Sequence, residues 1–578
     1  MVDLSRPWIV DTPLSERWPV YTRANVGEVS PNVTTPLMWS MIGGPPAERE
    51  WKQALVEFGA FDLEEFRPDL IDIQGMVHGY IYLNLSNSRT FGARMPGATP
   101  ELMDRTYLGE IEAPPYVPHP DDDKPEYTQR ILATVQRVLS ETARPDVLEH
   151  KELAAQLRAG RPDLASLPDA ELIARERAVM ESPYSPTLRT HLRMVYEGSV
   201  VTGALDQAVA GLGDPTLAIR LMGGLGDIAS AAPNQAMWKL GRTVRASAKL
   251  TAEFDQGVEG LEYRLRADES DEAKAFVTEF DAFLFDYGSR STDEWSAAPK
   301  SWETHPSIPL GMIGRMRLQN EEKEPVRQAA RLRGEREELV AEVRARLADD
   351  AEALGQLNAV LASAELYSRA REQSKTNCIR MLHEARLPIW ELGKRYAAKG
   401  VLGRPEDITM LRENELDAFI ENPQSFVPVI AERWEWYDAL DEREPPFFID
   451  GEIPPVTTWP KKKDPDLQPA GPGTVLEGIG ACPGVATGTA RVITDPENAS
   501  DLEPGEILVA PLTDPGWTPI FTSAAAVVVN VGSPMSHAAI VSRELGIPCV
   551  LGVRGATKKI KDGARLTVDG TTGKVTVD

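Results

Sequence analysis

Residues 524–552 read AAAVVVNVGSPMSHAAIVSRELGIPCVLG, and this stretch decides the fold of the C-terminal part of the chain. Its apolar, β-branched run at 527–531 predicts a buried strand, which a Gly-Ser-Pro sequence ends. Helical spacing of apolar residues then begins at His537, and Gly546 ends that helix. A second short strand is predicted at 549–551. The pattern is that of an α/β unit with a histidine on a strand-to-helix turn.

The position of His537 suggests a chemical role. It is predicted to lie in the first turn of the helix, directly after Ser536, a residue type that caps helix N-termini. Backbone N–H groups without partners and the positive end of the helix dipole favour an anion at such a position. An imidazole there could accept a phosphoryl group and have the new charge stabilised locally. The alternative is that His537 is only a polar residue near the start of a helix.

The same stretch closely resembles the phosphohistidine swivelling domain of the phosphoenolpyruvate (PEP)-utilising enzymes, a family that includes rifampicin phosphotransferase and phenylphosphate synthase. The family pattern is Gly-Gly-x-x-Ser/Thr-His-x-Ala-Ile-x-x-Arg-Glu-x-Gly-Ile-Pro, and its histidine carries the phosphoryl group. The resemblance therefore implies that His537 is the carrier. Ser533 departs from the pattern, because the family usually has a second glycine there. The other matching positions are Gly532, Ser536, Arg543, Glu544, Gly546 and Pro548.

A second part of the resemblance lies just upstream. The segment at 511–521, which contains Thr513, Trp517 and Thr518, is similar to a loop of the family. We expect this loop to pack beside His537. The resemblance implies that Gly532, Ser536, Thr513 and Arg543 support the carrier loop, a set taken from both segments.

Composition excludes several classes of function. The formal net charge is −26 and the isoelectric point about 4.9, so non-specific binding of nucleic acid is not expected. No apolar run is long enough to cross a bilayer, and the N-terminus lacks a signal pattern. The three cysteines lie far apart in the sequence and match no zinc or redox spacing. We expect a cytoplasmic protein that binds neither nucleic acid nor membrane and has no metal site of its own.

The sequence predicts two domains and a tether. Residues 1–445 are dominated by helical periodicity and are interpreted as a mainly α-helical acceptor (substrate)-binding domain. Residues 446–473 are rich in proline and predict an exposed linker. Residues 474–578 contain short strands between Gly and Asp turns, and the resemblance implies a small α/β (β/β/α) swivelling phosphohistidine domain.

Three residues upstream are candidate substrate-binding residues. The segment at 18–40 resembles the start of the substrate-binding domain of rifampicin phosphotransferase and its relatives, and Arg23 and Glu28 fall on that pattern. Glu28 could instead only cap a turn or helix. Arg290 lies in a Tyr-Gly-x-Arg segment that the relatives share, and its alternative role is an ion pair with Asp293 or Glu294.

Arg371 and Lys375 are the candidate phosphoryl-transfer residues outside the carrier domain. Arg371 belongs to a helical stripe whose other members are small or apolar, and Lys375 follows one turn later. The stripe consists of Tyr367, Arg371, Ser374, Cys378 and Leu382. Two stacked cations on a partly buried face can bind a phosphoryl group, and the relatives carry a similar Arg-Glu-x-x-Lys pattern. The alternative is structural ion pairing with Glu365, Glu372 or Glu384.

The phosphoryl donor is expected to lie on another polypeptide. No P-loop is present, and no stretch ahead of Trp18 resembles an ATP-grasp domain. The chain also ends soon after the carrier segment, with no room for a PEP-binding barrel. In phenylphosphate synthase and the cresol-phosphorylating systems, the ATP domain is a separate subunit. The resemblance thus implies a partner ATP-grasp subunit that binds ATP and Mg²⁺ and loads the β-phosphoryl group onto His537.

The function predicted from the sequence is that of a subunit of a split, ATP-dependent phosphotransferase. It would pass the phosphoryl group from His537 to the hydroxyl of a small aromatic compound such as a phenol or cresol. One alternative is a phosphotransferase that acts on an antibiotic or larger natural product. The other is a non-catalytic regulatory protein that retains the carrier fold.

Overall fold

The computed structural model describes residues 3–109, 111–214, 216–226, 229, 232–462, 469–494, 502–513, 515–532 and 536–578. For Glu28, Pro515 and Pro519 it describes the backbone only. Within these ranges, no helix is long and apolar enough to cross a membrane.

Helices account for most of the described structure. They are α1 Val26–Val29, α2 Pro36–Met38, α3 Pro45–Phe58, α4 Leu85–Arg94, α5 Pro100–Leu108, α6 Pro125–Ser140, α7 Pro145–Ala159, α8 Asp169–Val179, α9 Ser185–Val209, α10 Leu217–Leu221, α11 Ala232–Ala246, α12 Ala248–Asp255, α13 Leu261–Ala267, α14 Asp271–Tyr287, α15 Ser307–Met316, α16 Pro325–Arg346, α17 Ala351–Ala398, α18 Leu416–Glu421, α19 Pro423–Asp441, α20 Thr518–Phe521, α21 His537–Leu545 and α22 Ala556–Lys559. The strands are β1 Val20–Thr22, β2 Gln74–Val77, β3 Tyr80–Asn84, β4 Phe448–Asp450, β5 Val475–Glu477, β6 Ile479–Cys482, β7 Val485–Val492, β8 Ile507–Ala510, β9 Ala526–Val529, β10 Cys549–Leu551, β11 Arg565–Asp569 and β12 Lys574–Val577.

The chain forms two compact units, each built from separate segments. The first unit contains Met1–Leu205, Trp295–Ala298 and Ala359–Pro465. The second contains Asp206–Glu294, Pro299–Asn358 and Asp466–Asp578. The multidomain, mainly helical architecture with a small C-terminal β-sheet agrees with the sequence prediction.

The first unit is helical around a small antiparallel sheet of order β2-β3-β1-β4. Its core brings together side chains from both ends of the unit. For example, Tyr21, Met76, Leu382 and Leu440 are buried in one hydrophobic cluster. Helix α17 contributes apolar residues such as Leu382 to this core, but it also buries the charged side chains of Glu384 and Arg386.

The second unit contains an eight-stranded sheet of order β5-β12-β11-β7-β8-β9-β10-β6. Strands β7, β8, β9 and β10 are parallel neighbours, and the flanking pairs are antiparallel. Strands β8 and β9 are buried along their whole length, because both faces of this part of the sheet are covered. The predicted strand–helix–strand stretch is therefore confirmed as β9, α21 and β10.

The unit boundaries differ from the predicted domains. The sequence assigns residues 206–294 and 299–358 to the acceptor-binding domain, whereas the structure groups them with His537. The physical reason is a shared core, in which Leu240 of α11 and Ile313 of α15 join the same buried cluster as Phe521 and Val541. Helical periodicity shows that a face is apolar, but it does not show which partner covers that face.

The predicted linker is also more ordered at its start than its composition indicates. Residues of β4 pair with β1, with Tyr21 opposite Ile449. Trp459 is buried, and its indole N–H donates to the Pro454 carbonyl at 3.0 Å. Residues 446–462 therefore pack onto the first unit, while 463–468 lie outside the described residues.

Candidate functional site

His537 is the first residue of α21, a nine-residue helix in the second unit. Ser536 occupies the N-cap position with extended backbone angles of −69° and 161°, and Gly546 ends the helix in the left-handed conformation. Both helix boundaries are as predicted. Within the described residues, the Ser536 side chain makes no capping hydrogen bond. Because His537 is in the first turn of α21, the helix dipole favours added negative charge at its imidazole.

Two threonine hydroxyls contact the His537 ring. The Thr513 hydroxyl lies 3.2 Å from Nδ1, and the Thr518 hydroxyl lies 3.0 Å from Nε2. The ring of Phe521 meets the imidazole edge-on, with centroids 6.0 Å apart. These contacts confirm that the loop at 511–521 packs beside the histidine. Because a hydroxyl can donate or accept, the two threonines can accommodate either neutral tautomer.

Gly532 and Arg543 have different surroundings. A Cβ atom on Gly532 would lie 3.2 Å from the Cβ of Leu551 and 3.3 Å from the Ser536 hydroxyl, so a side chain there would require these neighbours to shift slightly. Arg543 lies in the last turn of α21, where its Nη1 is 3.5 Å from the Ala481 carbonyl of β6. This contact joins the helix to the sheet, and the predicted support of the carrier loop by Arg543 stays a prediction.

Glu544 anchors the C-terminal end of α21. Its carboxylate accepts hydrogen bonds from the backbone N–H groups of Gly224, Leu225 and Gly226, while burial raises its pKa. A Cβ atom on Gly224 would lie only 2.5 Å from the Leu332 carbonyl, so this loop requires glycine. The glycine-rich segment at 223–226 therefore holds the carrier helix.

The described side chains do not suggest a metal or thiol site. They include no group of three or more His, Cys, Asp or Glu residues placed to hold a metal ion. Burial raises the pKa of Cys482 to about 11 and that of Cys549 to about 12. Both thiols are therefore protonated at neutral pH and are weak nucleophiles.

A second polar cluster lies in the first unit around Arg371 and Lys375 on α17. Ser374 lies between them in sequence, and its hydroxyl is 3.0 Å from Nδ1 of His191 on α9. Trp295 stacks near this histidine, with ring centroids 6.2 Å apart and planes at 24°. Burial, and then the positive charges of Arg371 and Lys375, lower the pKa of His191 to about 3. The two cations therefore act on a common buried site.

The predicted stripe on α17 is confirmed by burial. Tyr367, Ser374, Cys378 and Leu382 are all 1% exposed or less. Two of the carboxylates suggested as structural partners are engaged elsewhere. Glu384 pairs with Arg161 at 2.5 Å, and Glu365 pairs with Arg369 at 2.9 Å.

Comparison with known protein families gives two matches. Residues 502–573, which contain His537 and the strands around it, match the PEP-utilising enzyme mobile domain. The chain carries this mobile domain. Residues 190–372 match the rifampicin phosphotransferase fourth domain, a segment that includes His191 and Arg371. The resemblance to the PEP-utilising family is thereby confirmed.

Individual relatives cover different parts of the chain. A prodigiosin synthesizing transferase, PigC of Serratia marcescens, is 27% identical over 99% of this chain and 64% of its own length. A rifampicin phosphotransferase of Bacillus cereus is 32% identical over 51% of this chain and 34% of its own length. An uncharacterised protein of Mycobacterium tuberculosis is 38% identical over 38% of this chain. The matches span between a quarter and two thirds of these relatives' lengths.

Of the three residues predicted to bind substrate, Arg23 and Glu28 belong to the first unit and Arg290 to the second. Arg23 is buried and donates to the backbone carbonyls of Ile81, Ser30 and Pro31. The side chain of Glu28 lies outside the described residues. Arg290 belongs to the second unit, not to the acceptor-binding domain, and pairs at 3.0 Å with the buried Glu294. This is one of the two ion pairs that the sequence offered as its alternative role.

Sequence reasoning missed His191 and Trp295. His191 is 183 residues from Ser374 in sequence, and only the packing of α9 on α17 joins them. Helical periodicity was predicted across residues 1–445, but it does not distinguish this histidine from a core residue. Trp295 lies on a short segment, Trp295–Ala298, that belongs to the first unit although both flanks belong to the second.

Proposed function

We propose that this chain is a phosphotransferase that carries a phosphoryl group on His537 and passes it to the hydroxyl of a small aromatic compound. The observation that carries the proposal is the geometry of His537, which lies at the N-terminus of a helix within a matched mobile domain, with a hydroxyl at each ring nitrogen. The relatives named as phosphotransferases support the same class of reaction.

The proposed transfer breaks one bond and forms one bond. The N–P bond of phospho-His537 breaks as the acceptor oxygen forms an O–P bond. The proton lost by the acceptor hydroxyl balances the proton gained by the departing imidazole, so a neutral histidine and a phosphate monoester result. Charge in the transition state is spread over the equatorial phosphoryl oxygens, so positioned cations contribute most.

Arg371 and Lys375 are the proposed cations for this step. They lie in the first unit beside a buried, uncharged histidine, in surroundings that strengthen electrostatic interactions relative to water. A phenolic or cresol-like acceptor is proposed because the chain resembles the His-bearing subunit of phenylphosphate synthase. The same resemblance supports loading by a separate ATP-grasp subunit that binds ATP and Mg²⁺.

A larger acceptor is the second candidate. PigC, a prodigiosin synthesizing transferase, aligns with 99% of this chain, and rifampicin phosphotransferase aligns with half of it. Natural-product or antibiotic acceptors are therefore supported as well as small phenols. If the chain were a non-catalytic regulatory protein, no hydroxyl compound would take the phosphoryl group from His537.

The experiment that tests the proposal separates loading from discharge. The chain is incubated with phosphoramidate, a chemical donor to imidazoles, and with ATP, Mg²⁺ and a candidate ATP-grasp protein in parallel. The phosphoprotein is then mixed with phenol, p-cresol or rifampicin, and phosphate monoesters are detected by ³¹P NMR. A monoester formed from phospho-His537 supports the function and identifies the acceptor class. A phosphoprotein that none of these acceptors discharges contradicts it.

A further inference from the structure

His191 is held in one orientation by its contacts. It lies on α9 and is 9% exposed. Its Nδ1 is 3.0 Å from the Ser374 hydroxyl, and its ring stacks near Trp295. Ser374 lies between Arg371 and Lys375 in sequence, and burial, followed by the positive charges of both residues, lowers the pKa of this imidazole.

The two hydrogen bonds of Ser374 favour one tautomer of His191. The Ser374 hydroxyl donates its single hydrogen to the Arg371 carbonyl at 2.8 Å. Both hydrogen bonds of this oxygen can be made at once only if Nδ1 carries the ring hydrogen and donates it to Ser374. In a neutral imidazole, this leaves Nε2 with its lone pair. In that arrangement, His191 offers a hydrogen-bond acceptor at a site on which the positive charges of Arg371 and Lys375 act.

The ring stays neutral over the physiological pH range. Burial disfavours the imidazolium, and the positive charges of Arg371 and Lys375 disfavour it further, so the pKa falls to about 3. A cationic histidine would lose the acceptor at Nε2. The surroundings therefore preserve the form that can accept a hydrogen bond.

We propose that Nε2 of His191 is a further catalytic group, which accepts a hydrogen bond from the substrate hydroxyl and orients the attacking oxygen toward the phosphoryl group. This inference rests on the proposed function. Arg371 and Lys375 bind the phosphoryl oxygens, and His191 aligns the nucleophile. The hydroxyl proton does not remain on His191, because it balances the one gained by the imidazole of His537. This role of His191 fits acceptors that carry a hydroxyl group. The transfer rate should depend most strongly on His191 when that hydroxyl is weakly acidic.

Two substitutions separate this role from simple packing. In His191→Asn, the side-chain amide can still donate to Ser374 from near the Nδ1 position, but the acceptor at Nε2 is lost. In His191→Gln, the amide oxygen can occupy the Nε2 position. We expect discharge of phospho-His537 to p-cresol to fall on the order of 10²-fold in the Asn variant and to recover largely in the Gln variant. Loading by phosphoramidate should be unchanged in both, and His119→Asn, an exposed histidine, serves as the control.

Acceptor acidity gives a readout that a packing role would not change. The loss in His191→Asn should grow as the pKa of the substituted phenol rises, because a weaker acid depends more on a hydrogen-bond acceptor. Wild-type discharge rates in the Asn variant, or equal defects in the Asn and Gln variants across all phenols, would overturn the proposal.

The tautomer is measured without any acceptor. Selective ¹⁵N-histidine labelling, with His191→Asn to assign the signal, should show Nδ1 protonated and Nε2 unprotonated from pH 5 to pH 9. A protonated Nε2 would overturn the inference even if the phosphotransferase activity is present. Failure of the wild-type phosphoprotein to discharge to any hydroxyl compound would instead overturn the proposed function, and this inference with it.

Discussion

The Thr518 hydroxyl lies 3.0 Å from Nε2 of His537, and the Thr513 hydroxyl lies 3.2 Å from Nδ1 of the same ring. Thr518 is buried at the start of α20, so its hydroxyl is fixed relative to the ring. A phosphoryl group on either nitrogen must replace one of these contacts. The other contact then holds the ring, and the helix dipole acts on the new charge.

His537→Ala should abolish formation of the phosphoprotein on which transfer depends. Intact-mass spectrometry after loading should show one acid-labile phosphoryl group fewer in the variant than in wild type. His119→Ala is the matched control and should load at His537 as wild type does. Full acid-labile labelling of His537→Ala would contradict the carrier assignment.

Thr518→Val should slow loading of His537. The substitution keeps the side-chain shape but removes the hydroxyl at Nε2, leaving the ring with one fewer partner to fix its orientation. We expect the rate of loading to fall on the order of tenfold. It is measured by stopping the loading reaction at intervals and determining the acid-labile phosphate bound to the protein. Thr487→Val, at an exposed position on β7, is the control. An unchanged rate in Thr518→Val would show that the contact does not position the ring.

Arg371→Ala should slow discharge to the acceptor while leaving loading intact. The lost cation stabilises charge chiefly as the phosphoryl group moves, so a decrease on the order of 10²-fold is expected in single-turnover experiments. Arg369→Ala is the matched control, since Arg369 is on the same helix and pairs with Glu365 at 2.9 Å. If folded Arg371→Ala protein discharges at the wild-type rate, the residue is structural.

Glu176→Gln should change the pH dependence of stability. Burial, followed by the nearby charge of Glu413, raises the pKa of Glu176 from 4.5 to about 8. The folded state therefore keeps a proton that the unfolded state releases above about pH 4.5, so this contribution to stability is lost as pH rises toward 8. The variant should match wild type near pH 4.5 and melt at a higher temperature at pH 8. Glu171→Gln, exposed on the same helix, should show no such trend.

Local sequence patterns predicted much of the carrier region. The apolar run before Gly532, the capping serine before His537 and the glycine at 546 each act within a few residues, so the strand and helix boundaries follow from them. The loop with Thr513 and Thr518 was also expected beside His537. The contact of Arg543 with the Ala481 carbonyl was not predicted, because it depends on how α21 packs against β6.

By itself, the sequence determined the secondary structure around His537 and the apolar stripe on α17, since both depend on periodicity and on residue types that begin or end helices. Only the tertiary structure decided which surfaces meet. It joined α11 and α15 to the carrier sheet in one core and brought His191 to Ser374 across 183 residues. It also gave the glycine-rich loop at 223–226 its partner in Glu544. Burial of apolar area is non-directional, so a periodic pattern specifies that a face is covered but not what covers it.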